Sequence, residues 1–357
     1  QNPASAQGDA ARRIPIPREQ LLGRALDGCD WLASRCQVLD RRDPYYGAMR
    51  SEYLDATRQW RFYDPVHQEP FWHTGQAVRT LLLAHKMKGD PRYLEHAIKG
   101  GDYLIHAQDL DKSDARYYGF LFGKNAQAAG TAPQLEGLRA LIDLHEATKD
   151  GKWRDRFKLA LDWVLKTVYH KKEGLFTNTF MPRAYTFAPP ERSRPFIDDS
   201  TLYVAYQEFK EPIYLATFRE IADRLLRDED PPGNWMKYAP CRPEAFGGLG
   251  HIHPRHGWWW GHPLLTAYDA FGDRKYFEAG VRTAEWYIEN SSLDGACYYH
   301  NTRNGKHISF DFCASATGCA VILYVDLWKR TSEEKYRAAI ERALGFLLRA
   351  QFSRQFP

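Results

Sequence analysis

The chain has 357 residues, 44% hydrophobic and 14% aromatic, enough apolar surface to bury a large core and outside the composition of disordered chains. Its 49 Lys and Arg against 45 Asp and Glu leave a net charge of +4, too balanced for a protein that grips nucleic acid by neutralising phosphates. No apolar run approaches the ~20 residues of a membrane span, the six cysteines form no CxxC pair and are too dilute for a disulfide scaffold, and no Gly-rich phosphate loop or GxSxG elbow is present, so no cofactor is expected.

Residues 1–16 read as a flexible amino-terminal arm ahead of one helical domain at 17–357. The arm lacks the apolar middle of a signal peptide; read as the stub left by signal cleavage, it points to a periplasmic or secreted protein, with the cytoplasm as the other option. Residues 18–38 have helical spacing and form a first outer helix, followed by the aromatic segment YYGAM at 45–49. From there a hairpin recurs: an inner helix, a tight acidic or Gly-Asp turn, an outer helix, and a short aromatic segment with Gly or Asn.

Inner helices are expected to start near Phe71, Thr131, Asp198, His256 and Cys313, and the turns read KGDPRY (88–93), TKDGKW (148–153), FKEPIY (209–214), FGDRKY (271–276) and TSEEKY (331–336). Their closing aromatics, Tyr93, Trp153, Tyr214, Tyr276 and Tyr336, lie 60, 61, 62 and 60 residues apart. The helices before the turns are rich in Gly, Ala, Ser and Thr, as helices packed on several sides must be. Those after them are amphipathic with Arg, Lys and Glu outward. Six outer and five inner helices are visible, and the sixth inner one is expected either beyond Pro357 or replaced by the amino-terminal arm. A two-layer array of hairpins of this period closes into a ring or stays open, and the count of six favours the all-α (α/α)6 toroid.

The long connections into the inner helices should form the functional face, and they are heavily loaded. The first carries Trp72 and His73, the second Tyr118, Gln134 and Glu136, and the third Arg194, Asp198 and Asp199. The fourth carries His251, His253, Arg255, His256, Trp258 and Trp259. Aromatic faces beside convergent charges suit a saccharide pocket, while the same aromatics also serve to wedge helices together. Of the Asp198-Asp199 pair, one can cap the following helix and the other project inward as a general acid. The His251-x-His253-x-x-His256 cluster lies on a loop and fits no helical metal motif; sugar contact and structural hydrogen bonding are the alternatives to a metal.

At these residues the chain resembles the six-hairpin glycosidase superfamily, most of all the unsaturated glucuronyl and rhamnogalacturonyl hydrolases. FWHTGQAVRTLLLAHKMKGDPRYLEHA (71–97) resembles the family's first inner hairpin, in which a Trp at the place of Trp72 stacks on the sugar. FIDDSTLYVAY (196–206) resembles the segment bearing the catalytic Asp. PRHGWWWGHPLLTAYDAFGDRKYFEA (254–279) resembles the Arg-Gly-x-x-Trp substrate segment, and residues 310–339 the last hairpin. Two departures stand out: the family's second Asp is replaced by Gln134 and Glu136, and the Arg-Gly pair becomes Arg255-His256-Gly257.

The resemblance implies a hydrolase that removes a terminal, unsaturated uronic acid from an oligosaccharide. Asp198 or Asp199 would protonate C4 and water would add at C5, while Arg255, His256 and Arg194 hold the carboxylate and Trp72 and Trp258 stack on the ring. Hydrolysis of saturated glucuronides with Glu136 as second carboxylate, lyase or epimerase chemistry with a Tyr or His base (Tyr118, His253 or His256), and a non-catalytic sugar-binding scaffold are the competing readings.

Overall fold

The computed structural model describes residues 15–54, 56–62 and 69–351, the side chains of Glu69 and Asp198 excepted, so that most of the expected arm lies outside the described residues. The helices in chain order are α1 (Arg18–Trp31), α2 (Glu69–Lys88), α3 (Pro91–His106), α4 (Thr131–Thr148), α5 (Gly151–Thr167) and α6 (Thr201–Phe209). They continue as α7 (Pro212–Arg227), α8 (His262–Phe271), α9 (Arg274–Glu289), α10 (Ala314–Thr331) and α11 (Glu334–Ala350). The first outer helix is shorter than its spacing suggests, passing through a π-helical turn at Leu32–Cys36 into extended backbone at Gln37. None of the described helices is long and apolar enough to cross a membrane.

Each tight turn has a physical recipe. The inner helix stops on a left-handed residue (Gly89, Lys149, Lys210, Gly272 or Ser332). In three turns an Asp then caps the outer helix: Asp90, Asp150 and Asp273 accept from the backbone N–H two residues on, at 2.9, 2.9 and 3.1 Å. The periodic aromatics follow the cap on the inward face, each no more than 3% exposed. Two reach back to an Asp on an earlier outer helix: Tyr93 Oη donates to Asp30 at 2.9 Å and Tyr214 Oη to Asp162 at 2.5 Å. Burial and the bond to Asp30 push the Tyr93 phenol up to about 12.

The glycines of the aromatic segments supply the other contact of the repeat. Gly47 has φ +90° and a Cβ there would lie 2.3 Å from the Lys99 carbonyl oxygen of α3; Gly119 has φ +103° and would meet that of Leu159 on α5 at 2.5 Å. Gly174, Gly233 and Gly295 press likewise on α7, α9 and α11. Only a residue without Cβ lets these segments lie flat on the outer helices.

Contacts gather the chain into two compact units, one of Gly28–Arg227 and one of Asp228–Pro357 with Gln1–Asp27. The first holds α2 to α7, and its connections carry short antiparallel pairings. β1 (Glu52–Leu54) pairs with β2 (Gln59–Arg61), while β3 (Ala129–Gly130) pairs with a later strand of another connection. β4 (Tyr169–His170) and β5 (Leu175–Phe176) form a hairpin, and β6 (Thr179–Met181) lies between β3 and β7 (Thr186–Phe187). Inside this unit α2 and α4 approach closely, for a Cβ on Gly75 would stand 2.6 Å from Gly137 Cα. The second unit holds α8 to α11 around a core of Leu265, Tyr287, Ala316, Ala320, Leu323, Tyr324 and Tyr336.

Candidate active site

In the Gly28–Arg227 unit the inner helices α2 and α4 and the turn leading into α6 bring together a set of charged groups. The centre is Asp199, whose side chain is 1% exposed and whose Oδ1 lies 2.7 Å from Arg79 Nη1. Arg79 Nε donates to Asp143 Oδ2 at 2.9 Å, Arg139 Nε to Asp143 Oδ1 at 3.1 Å, and Arg139 Nη1 to the Asp199 carbonyl at 3.3 Å. Charges thus alternate along Arg139, Asp143, Arg79 and Asp199. Burial works against the Arg79 guanidinium, and the carboxylates of Asp199 and Asp143 outweigh it, so its pKa lies above the ordinary value. Oδ2 of Asp199 has no hydrogen-bond partner among the described residues.

The backbone under this carboxylate is unusual. Asp199 (φ 55°, ψ 9°) and Ser200 (φ 53°, ψ 32°) are two successive non-Gly residues in the left-handed region, each costing roughly 1–3 kcal/mol that the surrounding structure must offset. Of the two carboxylates expected to divide capping and inward projection, Asp199 does not cap α6. Ser200 holds the cap position without a side-chain cap bond, and the Asp199 carboxylate turns to Arg79 instead. The backbone of Asp198 belongs to the same turn, and its side chain lies outside the described residues.

Glu136, fully buried on α4, accepts from Gln76 Nε2 at 2.8 Å. Gln134, also fully buried, donates to the Gly130 carbonyl at 3.3 Å, and its Oε1 has no partner among the described residues. Trp72 is half-buried and stacked on His73, centroids 5.7 Å apart, with its indole N–H unpartnered among the described residues. Tyr118 is half-buried on its connection. Arg194 is a buried wall, not an open cation, its guanidinium 4.7 Å over the Phe196 ring and its backbone paired with Phe176.

The second unit holds the histidine loop. His256 is fully buried, with Nδ1 2.9 Å from Asn234 Oδ1 and Nε2 3.4 Å from Cys241 Sγ. Both ring nitrogens are engaged inside the protein, which corrects the expectation that His256 holds a sugar carboxylate. Cys241 Sγ also accepts from the His253 N–H at 3.2 Å, and the Tyr287 hydroxyl donates to the His253 carbonyl at 3.0 Å, fixing the loop. The His253 ring stacks on Trp259 at 4.5 Å, and Trp259, only 3% exposed, is a packing residue and not a stacking face for a ligand. His251 lies 3.2 Å through Nε2 from the Tyr299 carbonyl, its Nδ1 has no partner among the described residues, and burial lowers its pKa.

Arg255 and Trp258 are the half-buried members of this loop. Arg255 Nη2 donates to Ser315 Oγ at 2.8 Å, and Trp258, in a π-helical turn at Gly257–Gly261, stacks on His262 at 6.2 Å with its indole N–H unpartnered among the described residues. Among the described residues no three His, Cys, Asp or Glu side chains gather as a metal-ligand set. Sequence reasoning missed Arg79, Arg139, Asp143 and Gln76 in the first unit and Asn234, Cys241 and Tyr287 in the second. The usable signal was a charged residue inside an otherwise apolar inner helix, as in AVRTLLL around Arg79 and ALIDL around Asp143.

No protein-family model and no curated protein matches the chain. Solved structures do. A D-mannose isomerase is similar over 96% of this chain and 90% of its own, with TM-score 0.70 and 12% identity. The chain has the six-hairpin (α/α)6 toroid fold. The same fold is shared with the cellobiose 2-epimerase from Bacillus thermoamylovorans (TM-score 0.68, 13% identity, 95% of this chain and 90% of that one). It is shared too with an unsaturated glucuronyl hydrolase specific for heparin (TM-score 0.68, 16% identity, 93% and 85%). Each is an enzyme that its name ties to a sugar, and the six-hairpin fold thus serves hydrolysis, epimerisation and isomerisation alike.

Proposed function

We propose that this six-hairpin chain is a carbohydrate-active enzyme that removes a terminal unsaturated uronic acid from an oligosaccharide. The observation that carries the reading is the Asp199 carboxylate, buried on a doubly left-handed turn with one oxygen ion-paired and the other open. Strain of this kind marks sites where a side chain is aimed for a purpose other than packing.

The two adjacent carboxyl groups divide the chemistry. Asp198, next in sequence, delivers a proton to C4 of the C4=C5 bond, and the cation that results at C5 is shared with the ring oxygen. Asp199, ion-paired with Arg79, takes a proton from the water that adds at C5. The C5 hemiketal opens to a ketone, and the hemiacetal left at C1 collapses to release the remaining saccharide as an alcohol. One water is consumed and the enoate is lost. Trp72 offers a face for the sugar ring and Gln134 Oε1 an acceptor for a hydroxyl.

The test is incubation with a panel of unsaturated uronyl disaccharides, following the ultraviolet absorbance of the conjugated enoate. Absorbance that stays constant with every disaccharide ends this reading. A second reading, sugar epimerisation or isomerisation by an imidazole base, is favoured by one observation, the buried His251 whose lowered pKa keeps it neutral and whose Nδ1 is open. That reaction requires solvent deuterium at the carbon next to the carbonyl of a reducing sugar, with no bond cleaved between sugars.

A further inference from the structure

The first unit also carries a cavity of about 460 Å³ lined by Asp114, Arg116, Lys124, Asn125, Arg183 and Tyr185, and by none of the charged residues around Asp199. It is framed by the connection that leads into α4 and by the β6–β7 turn, and the two are locked together. Tyr117 Oη donates to the Pro182 carbonyl at 2.6 Å, Arg183 Nε to the Asn125 carbonyl at 2.7 Å, and Trp163 Nε1 to the Arg116 carbonyl at 2.7 Å. Beneath them Tyr117, Phe180, Tyr185 and Phe187 pack ring on ring, with Tyr185 edge-on to Tyr117 at 5.5 Å. Its walls are therefore fixed before any ligand arrives.

Three cations line this cavity against one carboxylate. Asp114 is already taken, lying 3.2 Å from Arg116 Nε and 3.9 Å from Lys124 Nζ. Arg183 uses only Nε, so both its terminal nitrogens are free among the described residues, a fork of the shape that grips a carboxylate through two parallel bonds. Lys124 adds a point charge, and the Tyr185 ring holds the Arg116 guanidinium 5.8 Å from its centroid, keeping that cation on the wall of the cavity.

We propose that this cavity is an accessory subsite for a uronate residue of an acidic oligosaccharide, with Arg183 and Lys124 as its carboxylate-binding pair. The choice of a sugar acid rests on the functional reading given above; the demand for an anion rests on the cavity alone. A carboxylate held here would add an anchor for a longer acidic chain.

The test is binding of a saturated glucuronic-acid tetrasaccharide by titration calorimetry to the wild type, to Lys124→Ala, to Arg183→Ala and to the double variant. A neutral tetrasaccharide and sodium sulfate alone serve as further ligands. Each single change is expected to weaken acidic-tetrasaccharide binding about tenfold, and the effect to shrink as salt rises. Turnover of a disaccharide should keep its kcat in all variants. A double variant that binds the acidic tetrasaccharide as the wild type does, or a neutral analogue that binds equally well, overturns the proposal. Sulfate binding that the double variant loses, beside tetrasaccharide binding that it keeps, assigns the cavity to a free inorganic anion and overturns it as well. Loss of tetrasaccharide binding in a protein that consumes no unsaturated disaccharide leaves the subsite standing and removes the hydrolase reading, so the two failures are distinguishable.

Discussion

Arg79 lies between two carboxylates, and its removal strands the buried Asp199, while Asp143 keeps its bond from Arg139. Arg79→Met is expected to cost roughly 3–5 kcal/mol, the penalty of leaving a buried charge unpaired, read as a lower midpoint in urea denaturation. Adding Asp199→Asn to that variant should restore part of the loss, because the stranded charge disappears; a double variant no more stable than the single one would show that the two side chains are not coupled. Asp199→Asn alone should keep the fold and lower turnover about 10²- to 10⁴-fold, the range of a lost acid–base group. The doublet Asp198-Asp199 was visible in the sequence because two carboxylates at a helix start draw notice. Its partner was not, since an Arg inside AVRTLLL reads as an outward residue until the fold shows Asp199 and Asp143 on either side of it. Nor does any residue type announce two left-handed positions at Asp199 and Ser200, where glycine, the usual signal, is missing. His251 gives a pH prediction. Burial lowers its folded pKa, so the unfolded chain takes up a proton first as pH falls. Its share of stability is present above the unfolded value near 6.5 and is lost as pH drops below it toward the folded value. Denaturation midpoints between pH 5 and 7.5 should fall on acidification, and His251→Gln should flatten that slope.

At the level of the hairpin, the repeat was legible because several constraints recur together. A left-handed stop, an Asp cap and a buried aromatic all fall in six residues, and these are local features that spacing reveals. The inner helices could be located by their small residues, and the close crossing of Gly75 on Gly137 explains why such residues are needed there. What spacing could not reveal was the purpose of the glycines in the aromatic segments, which looked like simple breaks. Their function is contact: Gly119 combines φ +103° with a Cβ site 2.5 Å from the Leu159 carbonyl oxygen. Gly119→Ala should therefore destabilise by roughly 2–4 kcal/mol, backbone strain and overpacking acting together. Gly151, at the start of α5, has nothing within 4 Å of its Cβ site and no positive φ, so Gly151→Ala should instead stabilise by about 0.5–1 kcal/mol. Paired thermal melts of the two variants would check the assignment, and a neutral Gly119→Ala would refute the packing role given to the whole set.

Across the molecule, 12–16% identity to solved structures accompanies TM-scores of 0.68–0.70, so the fold is kept while most side chains differ. The cysteines are spread through both units as packing residues. All six are free thiols; Cys29, Cys36, Cys241 and Cys297 are buried, while Cys313 and Cys319 are half-buried. Burial pushes the Cys29 thiol up to about 11 and those of Cys36 and Cys297 to about 12. Because the thiolate is the reacting form, buried thiols with raised pKa are inert at neutral pH. A colorimetric thiol titration of the native chain should therefore detect no more than two fast groups, Cys313 and Cys319, and six after denaturation without reductant. Fewer than six in the denatured chain would reveal a disulfide that the structure does not contain. A third or fourth fast thiol in the native chain would mean that one of Cys29, Cys36, Cys241 and Cys297 opens to solvent, and with it the packing around that thiol.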